Sequence, residues 1–522
     1  MKNKFDLLIL FLMISIASLL PKATGQESKG KIIVTFDQYL CDIISSGWGP
    51  SADESYSNDI LDYQVLNCSI TEINFRTDIL DFSEFFIRMF ESKSSFIISI
   101  EFSGMNINGI ENMERMFANL PNLQKIVGLE SLNTSNVTNM GGMFFGDSNL
   151  NVIDVSNFRT SKVTNMEYMF SNTPPQTQGG GGGGVGGGGR RVEAGERRLD
   201  SSEDFQIQKR VIVGLSNFDT SSVTNMGGMF AFNYNIESLN LSNFNTAKVT
   251  SMVNMFCYCL NLINLDISNF DTSSVTDMYQ MFSFVGLVKK LDSFSDLKNV
   301  SNYPGLESLN LSNFDTSNVN NMSYMFFGDF HLKEIDVSSF NTSKVTNMEG
   351  MFAKVKKRAE FDPNILPSLE EIRKSSIQKI IGLSNFDTSS VTSMERMFAL
   401  SANIESLDLS NFNTSSVSNM GMMFYECQGL KYLDISNFNM ENLEKSNSNE
   451  IVTIGNYSNL KYINIYNIQQ NANENFKASL EYSQFNYDGL SICQKEKIIE
   501  NGTNICCSID FENTNCSNYF IF

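Results

Sequence analysis

A chain of 522 residues with a formal charge of −20 and a pI near 4.6 lacks the basic footprint that nucleic acid requires, and it is repelled by anionic lipid. Hydrophobic residues make up 42 %, enough for a core and too many for wholesale disorder. The single histidine excludes a multi-histidine zinc site, and acidity by itself names no partner.

At the start, Lys2 and Lys4 precede the apolar run LLILFLMISIASLL, and the small residues ATG stand before Gln26. That pattern predicts a cleaved secretory signal over 1–25. An anchor helix is the weaker reading, since the run is short and Pro21 follows it. No later stretch is apolar enough to span a membrane, so the mature chain is expected outside the cell, either released or held at its surface. Residues 26–64 are expected to form an N-terminal cap, with Cys41 and Cys68 flanking the start of what comes next.

From 65 to 470 the chain repeats itself. LSNFDTSSVTNMGGMF (215–230) returns as LSNFNTAKVTSMVNMF (241–256) and LSNFDTSSVTSMERMF (383–398), with uninterrupted spacings of 26 or 27 residues. Such self-similarity is the signature of a stacked array, whose units bury their apolar faces only against one another. In NLINLDISNF, the alternation at Leu265 and Ile267 predicts a short strand. In SSVTNMGGMF, Val223, Met226, Met229 and Phe230 stand at i, i+3, i+6 and i+7, which predicts one face of a short helix capped by Ser221 or Ser222. The expected fold class is therefore an α/β repeat. It is a leucine-rich-repeat-like solenoid of about 11–13 turns, with a short strand plus a short helix in each turn and disulfide-tied caps. The methionines read as adaptable core filler.

Interruptions enter near 171–210, 283–304 and 353–379, each just after Met-Phe. The first is glycine-rich and lacks the Lys-Ser/Thr of a phosphate-cradling loop, so a solvated loop is the expectation. Residues 471–522 carry Cys493, Cys506, Cys507 and Cys516 and are expected to be a cysteine-containing C-terminal cap or module. Cys259 and Cys427 share one repeat position and read as buried small hydrophobes. Sequons at Asn67, Asn240, Asn310, Asn413, Asn456 and Asn501 would allow a glycoprotein.

Two polar columns stand out when the copies are aligned. Asn157, Asn217, Asn243, Asn269, Asn313, Asn385, Asn411 and Asn437 fit a structural ladder of amides satisfying backbone groups at a sharp turn. Asp154, Asn240, Asp266, Asn310, Asp336, Asp408 and Asp434, with Gly214 and Gly382 at the aligned places, fit an outward position of the strands and are the candidate binding face. A flat column of carboxylates supplies too few oxygens for calcium, and no catalytic, cofactor-binding or metal residues are expected. His331 stands at a variable position and reads as surface decoration.

The phrase L-x-x-L-D-L-S-N-F-D-T-S-x-V-T-x-M-x-x-M-F resembles the repeat of the Bacteroides surface protein A-like leucine-rich-repeat surface protein family. The match is to its variant of roughly 25 residues found in mycoplasmal and protist surface proteins. The resemblance implies a leucine-rich solenoid, export or surface display, and adhesion, and it implies no catalytic residues. The expected function is recognition of an extracellular protein or glycan through an extended solenoid face. A self-assembling structural surface coat is the alternative, a secreted hydrolase is remote, and an enzyme is not expected.

Overall fold

The computed structural model describes residues 97–103, 110–172, 209–284, 304–329, 331–354, 377–425, 427–439, 441–442, 459–468 and 490–494. It also gives the backbone of strands at 31–36, 55–57, 61–66, 69–75, 503–504, 506–510 and 515–520. The signal segment, Cys41, Cys68, most of the three interruptions and the sequons at Asn67, Asn456 and Asn501 lie outside the described residues. So do the side chains of Cys506, Cys507 and Cys516. The described residues fall into two compact units that divide between Asn245 and Thr246.

The first unit opens on a sheet of six strands: β1 (Lys31–Phe36), β2 (Ser55–Ser57), β3 (Leu61–Leu66), β4 (Ser69–Phe75), β5 (Ile97–Ser103) and β6 (Lys125–Val127), in the order β2-β3-β4-β1-β5-β6. All pairings are antiparallel except the last, β5 with β6, which is parallel and in step from Ser99↔Lys125 to Glu101↔Val127. That change of direction converts a hairpin sheet into a stack of coils, in which every later strand of the array runs the same way as its neighbour.

Stacked coils follow, each contributing a strand of three residues. In the first unit these are β7 (Val152–Asp154), β8 (Val211–Val213) and β9 (Ser238–Asn240). In the second they are β10 (Asn264–Asp266), β11 (Glu334–Asp336), β12 (Lys379–Ile381), β13 (Ser406–Asp408), β14 (Tyr432–Asp434), β15 (Tyr462–Asn464) and β16 (Ser491–Cys493). Strands β13 to β16, with β17 (Thr503–Asn504), form one parallel sheet, and β18 (Cys506–Asp510) pairs antiparallel with β19 (Asn515–Phe520). Typically the middle residue alone turns inward, as Ile153, Leu239, Ile335 and Leu407 do. Both units are β-solenoids, about nine turns among the described residues, where the sequence suggests eleven to thirteen over the whole chain. The copy ending at Phe90 lies outside the described residues.

The short helix expected in each turn is absent: among the described residues there is no α-helix. Two tight turns replace it. In the copy at 112–118, the Met116 N–H donates to Met113 O and the Ala118 N–H to Arg115 O. The N–H groups of Met113, Arg115 and Phe117 donate instead to Asn139, Gly141 and Met143 of the next coil. Alternate amides thus face the neighbouring coil, as in a parallel ladder. The residue between the two turns is left-handed in copy after copy: φ is +53° at Arg115 and Tyr168, and +58° at Tyr324 and Arg396. A left-handed residue stops a right-handed helix. Successive three-residue turns therefore produce the same spacing of Val, Met, Met and Phe that a helix would.

Those apolar columns fill the interior. Val223, Met226, Met229 and Phe230 are fully buried, as are their counterparts Val345, Met348, Met351 and Phe352. The Phe rings stack coil on coil. Phe144 meets Phe170 at 5.8 Å and 4°, and Phe326 meets Phe352 at 5.8 Å and 7°. Each buried Phe stabilises by about 1.5–3 kcal/mol, and each stacked pair adds about 0.5–1.5 kcal/mol. The interruptions do not disturb this. Across the first, Val152, Ile153 and Asp154 pair with Val211, Ile212 and Val213, and Phe170 N–H still reaches Met229 O. Inserted residues cost little when both ends of a loop leave from one corner.

Of the predicted disulfide cysteines, Cys493, buried on β16 beside Tyr462, is disulfide-bonded, and a pair of disulfide-tied caps is not established. Cys257, Cys259 and Cys427 are buried thiols outside any disulfide, Cys257 being pushed well up by burial.

Candidate binding face

Each coil turns at corners held by a short polar side chain that accepts a backbone N–H two residues on. The first corner follows the strand and contains the predicted column. Oδ1 of Asp154, Asn240, Asp266, Asn310, Asp336, Asp408 and Asp434 accepts the amide of Ser156, Ser242, Ser268, Ser312, Ser338, Ser410 and Ser436, at 2.9 to 3.1 Å. These residues therefore build the turn with one oxygen and present the other polar atom outward. All are exposed except Asp266 and Asp434, which are half-buried. Hydrogen bonds from the hydroxyl and amide of the following serine hold the carboxyls of Asp154, Asp266 and Asp336 below the usual carboxylate range. Asp434 goes the other way, raised by burial and by Asp408 although Asn464 Nδ2 donates to its Oδ2 at 2.7 Å.

In register, Asp408 lies opposite Asp434, and Asp434 opposite Asn464. The two glycines do not take the places that alignment assigns them. Val213, not Gly214, lies opposite Asp154, and Ile381, not Gly382, lies opposite Asp336. Gly214 has φ +94°, and a Cβ on it would sit 2.4 Å from Ser156 Cα. Gly382 has φ +90° and faces Ser338 Cα at 2.5 Å. Each glycine slips the strand by one residue. Val213 stands five residues before its Phe, where Asp154 and Asn240 stand four before theirs. A ladder that has slipped once cannot match the unslipped coil beyond it. Accordingly β8 does not pair with β9, nor β12 with β13, among the described residues.

A groove of about 420 Å³ opens at the first of these breaks, lined by Val211, Gly214 and Ser216 on one side and by Ser238, Asn240 and Ser242 on the other. Beside it stand Val152, 59 % exposed, Val211, 41 %, and Val213, 39 %. Lys209 pairs with Glu237 at 2.5 Å at its edge. Asn240 is the one member of the predicted column in the lining.

The second column is placed where it can act between coils. Asn217 Nδ2 donates to Ser156 O at 2.8 Å, Asn385 to Ser338 O at 3.1 Å, and Asn313 to Ser268 O. Asn243 and Asn411 reach the carbonyls of Leu215 and Phe218, and of Leu383 and Phe386. Asn157, Asn269 and Asn437 hold the same coil position and are exposed.

Sequence reasoning missed a third column, which is the more deeply placed. Thr134, Thr160, Thr220, Thr246, Thr272, Thr316, Thr342, Thr388 and Thr414 are at most 2 % exposed. The hydroxyl of Thr316 donates to Asn341 O at 2.9 Å and accepts Asn341 N–H at 2.8 Å, so one oxygen satisfies both backbone groups of a residue in the next coil. Thr160 with Asp219, and Thr246 with Asp271, do the same. The signal was available: threonine holds this place in nine successive copies, giving way to Met440 only in the copy after Thr414, whereas the residue before it changes among Asp, Asn and Arg. His331, read as surface decoration, is half-buried against Phe284 at 5.2 Å.

Stacked coils, corner ladders and an outward strand face define a β-solenoid repeat protein. Among the described residues there is no group of three or more His, Cys, Asp or Glu that could hold a metal, and no helix is long and apolar enough to cross a membrane. The chain belongs to the family described as Mycoplasma protein of unknown function, DUF285, whose model matches residues 84–179, 200–306, 306–366 and 369–483. No curated protein and no solved structure matches it.

Proposed function

We propose that this is an exported or surface-displayed protein of the Bacteroides surface protein A-like kind, which recognises an extracellular protein or glycan through the outward face of its strands. The observation that carries the reading is the apolar patch of Val152, Val211 and Val213 beside the groove between β8 and β9. The neighbouring outward positions Asp154, Ser238 and Asn240 are polar, and an apolar patch rimmed by polar groups is the usual mark of a contact surface. The sequence adds the signal-like segment at 1–25. Sequons at Asn240, Asn310 and Asn413 add exposed amides for glycosylation.

The test is binding of residues 26–522 to immobilised matrix proteins and glycans, alongside the variant Val152→Thr/Val211→Thr/Val213→Thr. That variant keeps β-branched residues in the strands while removing apolar surface. Binding by the parent that the variant loses supports the reading; equal binding by both removes the patch from it. The same patch favours a second reading, self-association into a coat. Concentration-dependent assembly of the parent, abolished in the triple variant and with no foreign ligand bound, would select it.

A further inference from the structure

Interruptions leave the stack close to one coil position, three residues after the Phe of Met-Phe. In uninterrupted coils of the second unit a small buried group closes that corner. Ser401 Oγ donates to Phe352 O and Cys427 Sγ to Phe398 O, both at 3.0 Å. Asp329 occupies the position beside the third interruption and is buried. Its Oδ1 accepts the amides of His331 and Leu332, each at 2.9 Å. Lys354, at the start of the interruption, is 3 % exposed, and its backbone N–H donates to Ala399 O at 2.9 Å. The neighbouring Gly328 N–H donates to Ala353 O at 2.8 Å. Nε2 of His331 is buried without a hydrogen-bond partner, and a Cβ on Gly305 would lie 2.2 Å from its Cδ2, so the ring has no room on that side. Glu307 is the acid whose charge acts on His331, opposing the effect of burial and of Lys354.

We propose that Asp329, His331 and Lys354 form a proton-sensitive anchor fastening the coil edge at the third interruption. Burial drives its chemistry. It pushes Asp329 up from 3.8 to about 6, against the amides of Leu332 and His331 and the charge of Lys354. It draws Lys354 down from 10.5 to about 7, against the charge of Asp329. Burial and Lys354 together lower His331. Asp329 holds its proton more tightly folded than unfolded, so its contribution fades as pH rises from 3.8 through about 6. Lys354 releases its proton more readily folded, so stability returns as pH rises from about 7 toward 10.5. Both groups are charged only between these limbs, and there the anchor is weakest.

The first interruption supplies an internal comparison. Asp147 is buried at the equivalent position and accepts Leu120 N–H at 2.9 Å, but its cation is Arg210, which keeps its charge to about 10. No recovery above neutral pH is expected at that site.

The test is amide hydrogen exchange of the full chain from pH 5 to 9, corrected for the intrinsic pH dependence of exchange. Protection at 326–329 and 351–354 is expected to pass through a minimum between pH 6 and 7 and to recover about ten-fold by pH 8. Protection at 144–147 does not recover over that range. Lys354→Arg, charged throughout, removes the recovery. Asp329→Asn keeps an oxygen for the two amides and removes the acid limb, so the test stands even if the arginine variant fails to fold. Constant wild-type protection from pH 5 to 9, or an unchanged profile in Asp329→Asn, overturns the proposal.

Discussion

Replacing Thr316 by valine tests the buried hydroxyl ladder. Valine has almost the shape of threonine, so the exchange leaves no cavity and isolates the hydroxyl. In the native coil that oxygen satisfies both the N–H and the C=O of Asn341. Each buried backbone group left without a partner costs about 1–3 kcal/mol. The Asn341 side is only part-buried, so water replaces some of the loss, and the expected destabilisation is about 2 kcal/mol. Thr316→Ser keeps the oxygen and removes one methyl, for about 0.8 kcal/mol. Urea denaturation followed by far-ultraviolet circular dichroism gives the midpoints. Residue-resolved exchange around Asn341 shows whether the loss is local, because solenoid turns couple mainly to their neighbours. If the valine protein unfolds within 0.5 kcal/mol of wild type, or the serine protein is the weaker of the two, the ladder argument fails (a surface-sized effect of about 0.5 kcal/mol being the benchmark).

Three further outcomes follow from the same geometry. Gly214→Ala places a Cβ 2.4 Å from Ser156 Cα at a φ of +94°, and should cost about 3 kcal/mol or more by thermal unfolding, or prevent folding. Phe326→Ala removes a ring stacked on Phe282 at 5.9 Å and on Phe352 at 5.8 Å; a loss of about 3–5 kcal/mol is expected, while Phe326→Leu should lose less. Acidification should loosen the strand-end corners. The carboxyls of Asp154, Asp266 and Asp336 are depressed by serine hydrogen bonds, so their contribution is complete above pH 3.8 and is lost as pH falls below it, measurable as faster exchange of the Ser156, Ser268 and Ser338 amides.

Much of this architecture was legible in the sequence, and the remainder was hidden for identifiable reasons. The period, the Val, Met, Met and Phe columns and the points of interruption are carried by apolar side chains that recur whatever the backbone does. The helix was misread because i, i+3, i+6, i+7 is satisfied equally by consecutive three-residue turns, and nothing in VTSMERMF announces that Arg396 is left-handed. The slip at Gly214 was invisible because SNF aligns the copies without a gap; only the close approach of Ser156 reveals that the strand is displaced. Asp154 and its counterparts were assigned to an outward face, and the structure adds that each also caps the turn behind it. The buried threonines escaped because a hydroxyl in DTS reads as a turn residue within one coil, whereas its partners lie a full coil away.

Stacking in parallel register across an interruption is the claim on which the rest depends, and cysteine trapping tests it directly. Asp154→Cys/Val213→Cys places thiols on paired residues of β7 and β8, close enough for a disulfide. Asp154→Cys/Gly214→Cys places them where sequence alignment alone would. Under mild oxidation of the native protein, with linked peptides identified by mass spectrometry against the nine natural cysteines, the first pair should join readily and the second poorly. Preferential joining of the Gly214 pair, or of neither, would contradict the stacked, slipped register described above.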